Sequence, residues 1–120
     1  MRHDESHTQQ ECVKWFRLQY AKLARNLIAI PNGGARNARE AGIMKGEGVT
    51  AGAADLVLFA ANHNYHGLCI EMKTKEGRQS PSQKEWQQAV TAQGYLYAVI
   101  RGFDGFKELI DWYLKEETSC

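Results

Sequence analysis

Long apolar segments are missing from this sequence. No apolar run in its 120 residues approaches the roughly 20 residues that a membrane-spanning helix needs. The N-terminal stretch MRHDESHTQQ is polar and contains no apolar core of a secretion signal. We therefore expect an intracellular, cytoplasmic protein with no membrane partner.

Cysteine is scarce and its spacing is irregular. The three cysteines, Cys12, Cys69 and Cys120, form no short pair of the kind found in zinc sites or disulfide frameworks. His63 and His66 lie in a predicted turn, and a His pair without further ligands is typical of a solvated loop. The sequence therefore predicts neither a disulfide-rich domain nor a zinc centre.

Linkers, internal repeats and a large net charge are also missing. Without them, the 120 residues are expected to form one domain, residues 1–120. The formal net charge of +1 excludes a uniformly basic nucleic-acid binder. The charges are nevertheless separated, because bases dominate from Lys14 to Lys84 and acids collect between Asp104 and Glu117. This asymmetry is a hint of a polyanionic partner.

Periodicity and turn residues predict the elements of the first half of the chain. A helix is expected from Ser6 or Thr8 to about Arg25, followed by a strand in LIAIP. The segment ARNAREAGIMKGEG is then expected to contain a short helix.

The second half is predicted to begin with an antiparallel hairpin. Its strands are ADLVLFAA and GLCIEMKT, and both faces are apolar, which indicates a central element covered on both sides. A helix capped by Ser80 follows and ends before Gly94. The strand YLYAVIR and a helix capped by Asp104 complete an α/β order of elements.

Three charged residues are expected to meet at the end of this hairpin. If the loop is symmetric, Asp55 faces Lys73, and Glu71 lies diagonally from Asp55 on the same face, with Cβ atoms roughly 7 to 8 Å apart. Carboxylates this close repel each other unless a cation lies between them or one is protonated. Oxygen ligands of this kind suit Mg²⁺, and a lysine beside them suits phosphodiester hydrolysis. The alternative is a cross-strand salt bridge between Asp55 and Lys73, with Glu71 solvated.

The same residues match a known signature. Asp55 followed by Glu71-Met72-Lys73 resembles the D...ExK pattern of PD-(D/E)xK nucleases. More of the chain resembles the VRR-NUC family, named for virus-type replication and repair nucleases. The matching residues are Pro31-Asn32-Gly33-Gly34, Arg36, Gly52-Ala53-Ala54-Asp55-Leu56, Ile70-Glu71-Met72-Lys73-Thr74, Gly77-Arg78, Ser82-Gln83 and Trp86. Ala54 is a departure, because family members often have proline there.

The resemblance implies a fold and a metal site. The fold is a restriction-endonuclease-like αβββαβ core with a mixed central sheet flanked by helices. Asp55, Glu71, the backbone carbonyl of Met72 and Glu11 would bind Mg²⁺ or Mn²⁺, and Lys73 would act on the attacking water. On a helical wheel, however, Glu11 lies opposite the apolar stripe, so it is alternatively an acid that favours the helix dipole.

The resemblance also implies a supporting residue, and the charges of the sequence suggest a set of phosphate contacts. Gln83 matches a glutamine near the site in this family, although a capping box with Ser80 explains it equally. Basic residues near the site are candidates to position a DNA backbone without reading its sequence, or are solvated surface charges. These candidates are Arg36, Arg39, Lys45, Lys75 and Arg78.

The implied activity is metal-dependent, structure-specific DNA endonuclease cleavage. The chain resembles the free-standing, phage-like members, which are similar to Holliday-junction resolvases and act as homodimers on branched DNA, in a bacterium or a phage-infected host. Trp15 and Leu18, or Trp112 and Tyr113, are candidate interface residues. The alternatives are a flap, nicking or restriction-type nuclease of the same fold and a catalytically silent DNA-binding protein.

Overall fold

The predicted order of helices and strands is confirmed. A computed structural model describes residues 3–31 and 37–118, with side chains described for 5–31 and 37–115. The helices are α1 (His3–Gln19), α2 (Ala38–Gly46), α3 (Pro81–Thr91) and α4 (Phe103–Thr118), and a 3₁₀ helix, Ala21–Asn26, follows α1. The strands are β1 (Leu27–Ala29), β2 (Leu56–Leu58), β3 (Leu68–Met72) and β4 (Leu96–Ile100).

The four strands form one mixed sheet in the order β1-β2-β3-β4. The pairs β1–β2 and β2–β3 are antiparallel, whereas β3 and β4 are parallel and are joined through α3. Such a parallel pair needs a crossover connection, and α3 provides it. The predicted αβββαβ core with a mixed sheet is therefore present.

Two hydrophobic clusters cover the two faces of the sheet. Alternate residues of β2 and β3 join Phe16 of α1 and Phe106 of α4 in the larger cluster. The other face is covered by α3, where Val57, Cys69 and Tyr97 pack with Trp86. Because alternate side chains of a strand point to opposite faces, a strand covered on both sides is apolar throughout.

Phe59 is an exception to the predicted double coverage. The sequence places it on an apolar hairpin face, but β2 ends at Leu58 and Phe59 is 51% exposed. Ile28 on the neighbouring edge strand is also exposed. The sheet is therefore less completely covered at the β1 edge than the apolar pattern predicts.

The first helix begins and ends earlier than predicted. It starts at His3, and the backbone leaves the helical conformation at Tyr20 (φ −120°, ψ 59°) instead of continuing to Arg25. The Tyr20 hydroxyl donates to Asp111 of α4 at 2.6 Å, and the chain then turns so that Leu27 pairs with Leu58. Strand pairing thus overrides the local helical periodicity.

The start of the last helix also differs from its prediction. α4 begins at Phe103, so Asp104 lies within the first turn and is not the N-cap. Its carboxylate is near the positive end of the helix dipole, which is stabilised by a negative charge.

Two of the four residues predicted for a dimer interface pack inside the protein, and the other two are exposed. Trp15 makes edge-on contacts with Phe103 and Phe106, and Tyr113 is fully buried, so both belong to the core. Leu18 and Trp112 are exposed. Among the described residues, no helix is long and apolar enough to cross a membrane.

Candidate active site

The predicted site lies at one end of β2 and β3, in a cleft of about 1010 Å³. Its walls come from α1, α2, the segment before β2 and the first turn of α3. Asp55, Glu71, Lys73 and Gln83 all line it. The structure therefore brings together four of the residues selected from the sequence.

The hairpin register differs by two residues from the predicted one. Leu56 pairs with Ile70, so the register continued by one residue sets Asp55 opposite Glu71 and not opposite Lys73. A symmetric loop from Asn62 was wrong because the Asn62 side chain accepts from the backbone N–H groups of Asn64 and Tyr65, which shifts the turn. A shift of two residues keeps every side chain on its face. The two carboxylates are therefore direct, not diagonal, neighbours.

Asp55 and Glu71 are held by different donors. Asp55 Oδ2 accepts from the backbone N–H of Met72 at 2.7 Å. Glu71 is only 2% exposed, and its two oxygens accept from Gln83 Nε2 at 2.9 Å and from the Tyr97 hydroxyl at 3.2 Å. Neutral donors orient the Glu71 carboxylate without neutralising its charge.

The pKa of Glu71 reflects this environment. Burial, reinforced by the neighbouring Asp55 carboxyl, raises the pKa of Glu71 from 4.5 to about 8. The Tyr97 hydrogen bond and the Lys73 charge act in the opposite direction but do not compensate. A carboxylate pair of this kind is stabilised by either a proton or a cation.

Lys73 lines the same cleft and is half-buried. Lys73 forms no ion pair within 4.0 Å with Asp55 or Glu71. Among the residues with described side chains, an ion pair is found between His7 and Glu11, at 3.9 Å. The alternative of an Asp55–Lys73 cross-strand salt bridge is therefore wrong, since Glu71 occupies the position opposite Asp55. The ammonium group is left available to a ligand in the cleft.

Gln83 combines the two roles that the sequence left open. Its side-chain oxygen accepts from the backbone N–H of Ser80 at 2.8 Å, which completes a capping box at the start of α3. Its Nε2 donates to Glu71 at 2.9 Å. Because an amide has separate donor and acceptor atoms, one side chain both caps the helix and contacts the site.

Gly52 allows α3 to approach the site this closely. A Cβ atom at position 52 would lie 2.2 Å from the backbone oxygen of Ser82, and Gly52 has φ +85°. Both the close backbone contact and the positive φ favour glycine. The segment before Asp55 thus packs directly on the helical turn that carries Gln83.

Glu11 does not lie at the cleft. Its side chain is 58% exposed and contacts His7 on the same helix. The first helix instead presents Glu5 and Gln9 to the cleft. At about 100° per residue, Glu11 is roughly 160° around the helix from Gln9, which explains why it points away. The prediction that Glu11 reaches the metal site therefore conflicts with the structure.

The donors around the cleft fit a hard divalent cation. Asp55 and Glu71 supply carboxylate oxygens at the cleft. Met72 is not among the lining residues and its side chain is buried in the core, so a contact of its backbone carbonyl with a cation stays a prediction. Gln9 Oε1 is buried without a hydrogen-bond partner among the described residues, at the wall of the same cleft. In the described part of the chain, no three His, Cys, Asp or Glu side chains form a metal-binding group. Such a site suits Mg²⁺ or Mn²⁺, which retain several waters, better than Zn²⁺.

The predicted phosphate-binding residues are divided among several places. Lys45 lines the cleft, whereas Arg39 is exposed on α2 outside it. Lys75 and Arg78 line a separate pocket of about 550 Å³ together with Arg101. Arg36 lies outside the described residues.

Sequence reasoning missed several residues around the site. Glu5 and Gln9 lie on the same side of α1 as the buried Cys12 and Phe16. A helical wheel with Cys12 on its buried side therefore predicts both residues at the cleft. Tyr97 contacts Glu71 from β4, which no local pattern reveals.

Arg101 was also missed. Its Nη1 donates to the carbonyl oxygens of Thr74 at 2.8 Å and Gly77 at 2.6 Å, and so holds the turn after Lys73. A charged residue directly after a buried strand lies where that strand leaves the sheet. The position of Arg101 after Ile100 could therefore have marked it as a residue near the end of β3.

The sheet order, with an aspartate opposite the first residue of a Glu-x-Lys sequence, agrees with the αβββαβ core and site that the resemblance to nucleases implies. Comparison with known families makes this more specific. The chain belongs to the VRR-NUC family, since the family model for the VRR-NUC domain matches residues 1–104. This is a family of nuclease type.

A solved structure supports the same assignment. The chain is similar to a protein described as "VRR_NUC domain protein", with a TM-score of 0.83 and 30% sequence identity, over 97% of this chain and 92% of that one. No curated protein matches this chain in sequence comparison. The fold and the family are thus supported by independent comparisons of structure and sequence.

Proposed function

We propose that this protein is a Mg²⁺- or Mn²⁺-dependent DNA endonuclease that recognises branched structure. The observation that carries the proposal is the direct pairing of Asp55 with buried Glu71 beside an unpaired Lys73. Two adjacent carboxylates repel each other and lower the stability of the folded protein unless a cation is bound between them. Their presence in the cleft is therefore better explained by a bound cation than by folding. A cation site next to a free ammonium group suits a phosphodiester substrate.

Each residue has a defined task in this proposal. Asp55, Glu71 and the Met72 carbonyl would hold the cation, with Gln9 or Glu5 of α1 at the opposite wall. Gln83 and Tyr97 orient Glu71 through hydrogen bonds. A bound cation would supply Lewis-acid polarisation of the phosphodiester and neutralise developing charge. Lys73, as an ammonium group, would orient the attacking water and neutralise negative charge that develops at the phosphate.

The substrate proposed is a four-way junction, cut by a homodimer. Symmetric cleavage of a junction needs two active sites, and one chain supplies one. The cleft is open to solvent and has a basic residue, Lys45, at its α2 wall, which favours contact with the DNA backbone.

The first test is cleavage of end-labelled four-way junction, flap and linear duplex DNA by the wild type and by Lys73→Ala. Each substrate is incubated with Mg²⁺, with Mn²⁺ and with EDTA. Lys107→Ala, which removes an exposed lysine on α4, is the matched control. We expect symmetric, metal-dependent junction cleavage by the wild type and the control, and none by Lys73→Ala.

The other outcomes separate the remaining functions. Metal-dependent cleavage confined to flaps or to linear duplex would replace the resolvase by a flap or restriction-type nuclease of the same fold. DNA binding without cleavage under every metal condition would contradict the nuclease proposal and support a silent DNA-binding protein.

A further inference from the structure

A second groove continues the active-site cleft along the outer side of α1. The two share Ser6 and Gln9, and the groove then passes Gln10 and Lys14 to reach Arg17. Two apolar side chains, Val13 and Leu18, complete its lining. Its volume is about 560 Å³. Residues spaced by three or four positions share one side of a helix, so Ser6, Gln10, Lys14 and Arg17 form a continuous polar row.

The charges in this groove are unbalanced. No acidic residue lines it, and within the described ranges neither Lys14 nor Arg17 forms an ion pair. Glu11 borders the row on the same helix, but its carboxylate contacts His7. Arg17 interacts favourably with the negative end of the α1 dipole, which accounts for a cation at that position. Lys14 lies further from the end of the helix, so the dipole does not account for its charge.

The packing of the opposite side of α1 explains why Lys14 and Arg17 are exposed to solvent. Cys12 and Phe16 are fully buried against the sheet, which directs the Lys14 side of the helix to solvent. The row is therefore held in a fixed orientation next to the cleft by core packing.

We propose that this groove binds the DNA strand as it leaves the active site, with Lys14 and Arg17 contacting phosphates beside the scissile one. The inference rests on the proposed nuclease function and extends its substrate contact beyond the cleft. A row of cations and neutral polar groups that begins at the cleft wall is complementary to a phosphodiester backbone, and backbone contacts of this kind position the duplex.

The dimensions of α1 locate these contacts on the DNA. At about 1.5 Å per residue, Lys14 and Arg17 lie roughly 7.5 and 12 Å along the helix from Gln9 at the cleft wall. With about 3.4 Å of rise per nucleotide in one strand, these distances correspond to phosphates roughly two to four nucleotides from the cut.

The test is a comparison of two double variants of equal charge. Lys14→Gln/Arg17→Gln removes the row, and Lys22→Gln/Arg25→Gln removes two exposed cations of the 3₁₀ helix that line neither groove nor cleft. Binding to labelled junction DNA is measured in EDTA over a range of salt concentrations, so that no cleavage occurs. For the first variant we expect about ten-fold or greater loss of affinity and a salt-dependence slope smaller by about 2, since each phosphate contact contributes about 0.9.

Neutral methylphosphonate linkages then test the position. Placed roughly two to four nucleotides from the cut, they should weaken binding by the wild type and by the Lys22→Gln/Arg25→Gln control, but not by Lys14→Gln/Arg17→Gln. Equal losses in both double variants, or no loss in either, would overturn the inference. If this happens while Lys73→Ala still abolishes cleavage, the nuclease proposal stands; absence of both binding and cleavage would remove both proposals.

Discussion

Glu71 is an acid placed where its charged form is disfavoured. The side chain is almost fully buried and lies beside Asp55, the residue before β2, and its hydrogen-bond donors, Gln83 and Tyr97, are neutral. A residue needed only for packing would be apolar at this position, as Cys69 is two residues earlier on the same face. The acid therefore costs stability that a bound cation would recover.

Stability should depend on pH through Glu71. Its folded-state pKa of about 8 lies above the ordinary value of 4.5, so the folded protein binds this proton more tightly than the unfolded chain. The contribution is fully present below the unfolded pKa and is lost as pH rises through the folded pKa. In EDTA, Glu71→Gln should therefore exceed the wild type in unfolding free energy at about pH 9 by about 1–3 kcal/mol, and lose this advantage near pH 5.

Urea unfolding of both proteins at about pH 5, 7 and 9 measures this difference. The titration of groups that do not contact Glu71 is shared by both proteins and cancels in the comparison, so the difference reports on the Asp55–Glu71 pair. A difference in unfolding free energy that does not change with pH would show that Glu71 ionises normally in the folded protein.

The two roles of Gln83, in capping α3 and in contacting Glu71, can be separated by substitutions at positions 80 and 83. Ser80→Ala removes the hydroxyl that accepts from the Gln83 backbone N–H but leaves the Gln83 side chain beside Glu71. Gln83→Ala removes the side-chain contacts with the Ser80 backbone N–H and with Glu71. We expect each variant to lose about 1 kcal/mol of stability, but only Gln83→Ala to lose about 10- to 100-fold in Mg²⁺ affinity or cleavage rate.

Thermal unfolding and single-turnover cleavage at several Mg²⁺ concentrations distinguish these effects. Equal losses of activity in Ser80→Ala and Gln83→Ala would mean that Gln83 acts only through the position of the helix. Retained activity in both would remove Gln83 from the site.

At the scale of elements, the approach of α3 to the segment before β2 sets the geometry of the cleft. Gly52→Ala places a methyl group against the Ser82 backbone at a positive φ, so the first turn of α3 must move. We expect a loss of about 2 kcal/mol or more in unfolding free energy, together with a reduced cleavage rate. The measurement is urea unfolding paired with junction cleavage.

A second glycine in the same chain is the control for this substitution. Gly42 lies inside α2 and has no atom within 4 Å of a Cβ added there. Gly42→Ala should stabilise the protein by about 0.5–1 kcal/mol, because alanine favours the helix. Similar effects from both substitutions would contradict the assigned role of the Gly52 contact.

The order of elements was predictable because each has a local signal. The Ser80 capping box and the apolar residues on both faces of β3 act within a few residues, and both are present as predicted. The hairpin register was not predictable, since the Asn62 side chain reorganises the loop. The end of α1 was not predictable either, because it depends on Tyr20 reaching Asp111, far along the chain.

The same distinction applies to the candidate site. Asp55, Glu71 and Lys73 could be found because they interrupt buried strands with charge. Tyr97 contacts Glu71 from β4, and Arg101 after β4 holds the turn that follows Lys73, so both roles depend on the parallel pairing of β3 with β4. Glu11 was chosen from the family resemblance although the helical wheel set it opposite the apolar stripe, and the structure places Glu5 and Gln9 at the cleft instead.

For the whole molecule, the proposed function requires two copies. One chain has one pair of carboxylates at a cleft, whereas resolving a junction needs two cuts. The exposed apolar side chains Ile28, Phe59 and Trp112 are available at the surface for such an association. Exposed apolar area of this kind is a common property of interaction sites.

The dimer can be tested by the products formed on a supercoiled plasmid that extrudes a cruciform. Paired cuts within one encounter convert the plasmid to a linear form, and a single cut gives a nicked circle. We expect mainly linear product at protein concentrations where sedimentation velocity shows a dimer, and nicked circles on dilution to the monomer. Adding an excess of Lys73→Ala to the wild type should also favour nicked circles, because most active chains are then paired with an inactive partner. A ratio of linear to nicked product that is unchanged by dilution and by the inactive variant would show that single chains act independently.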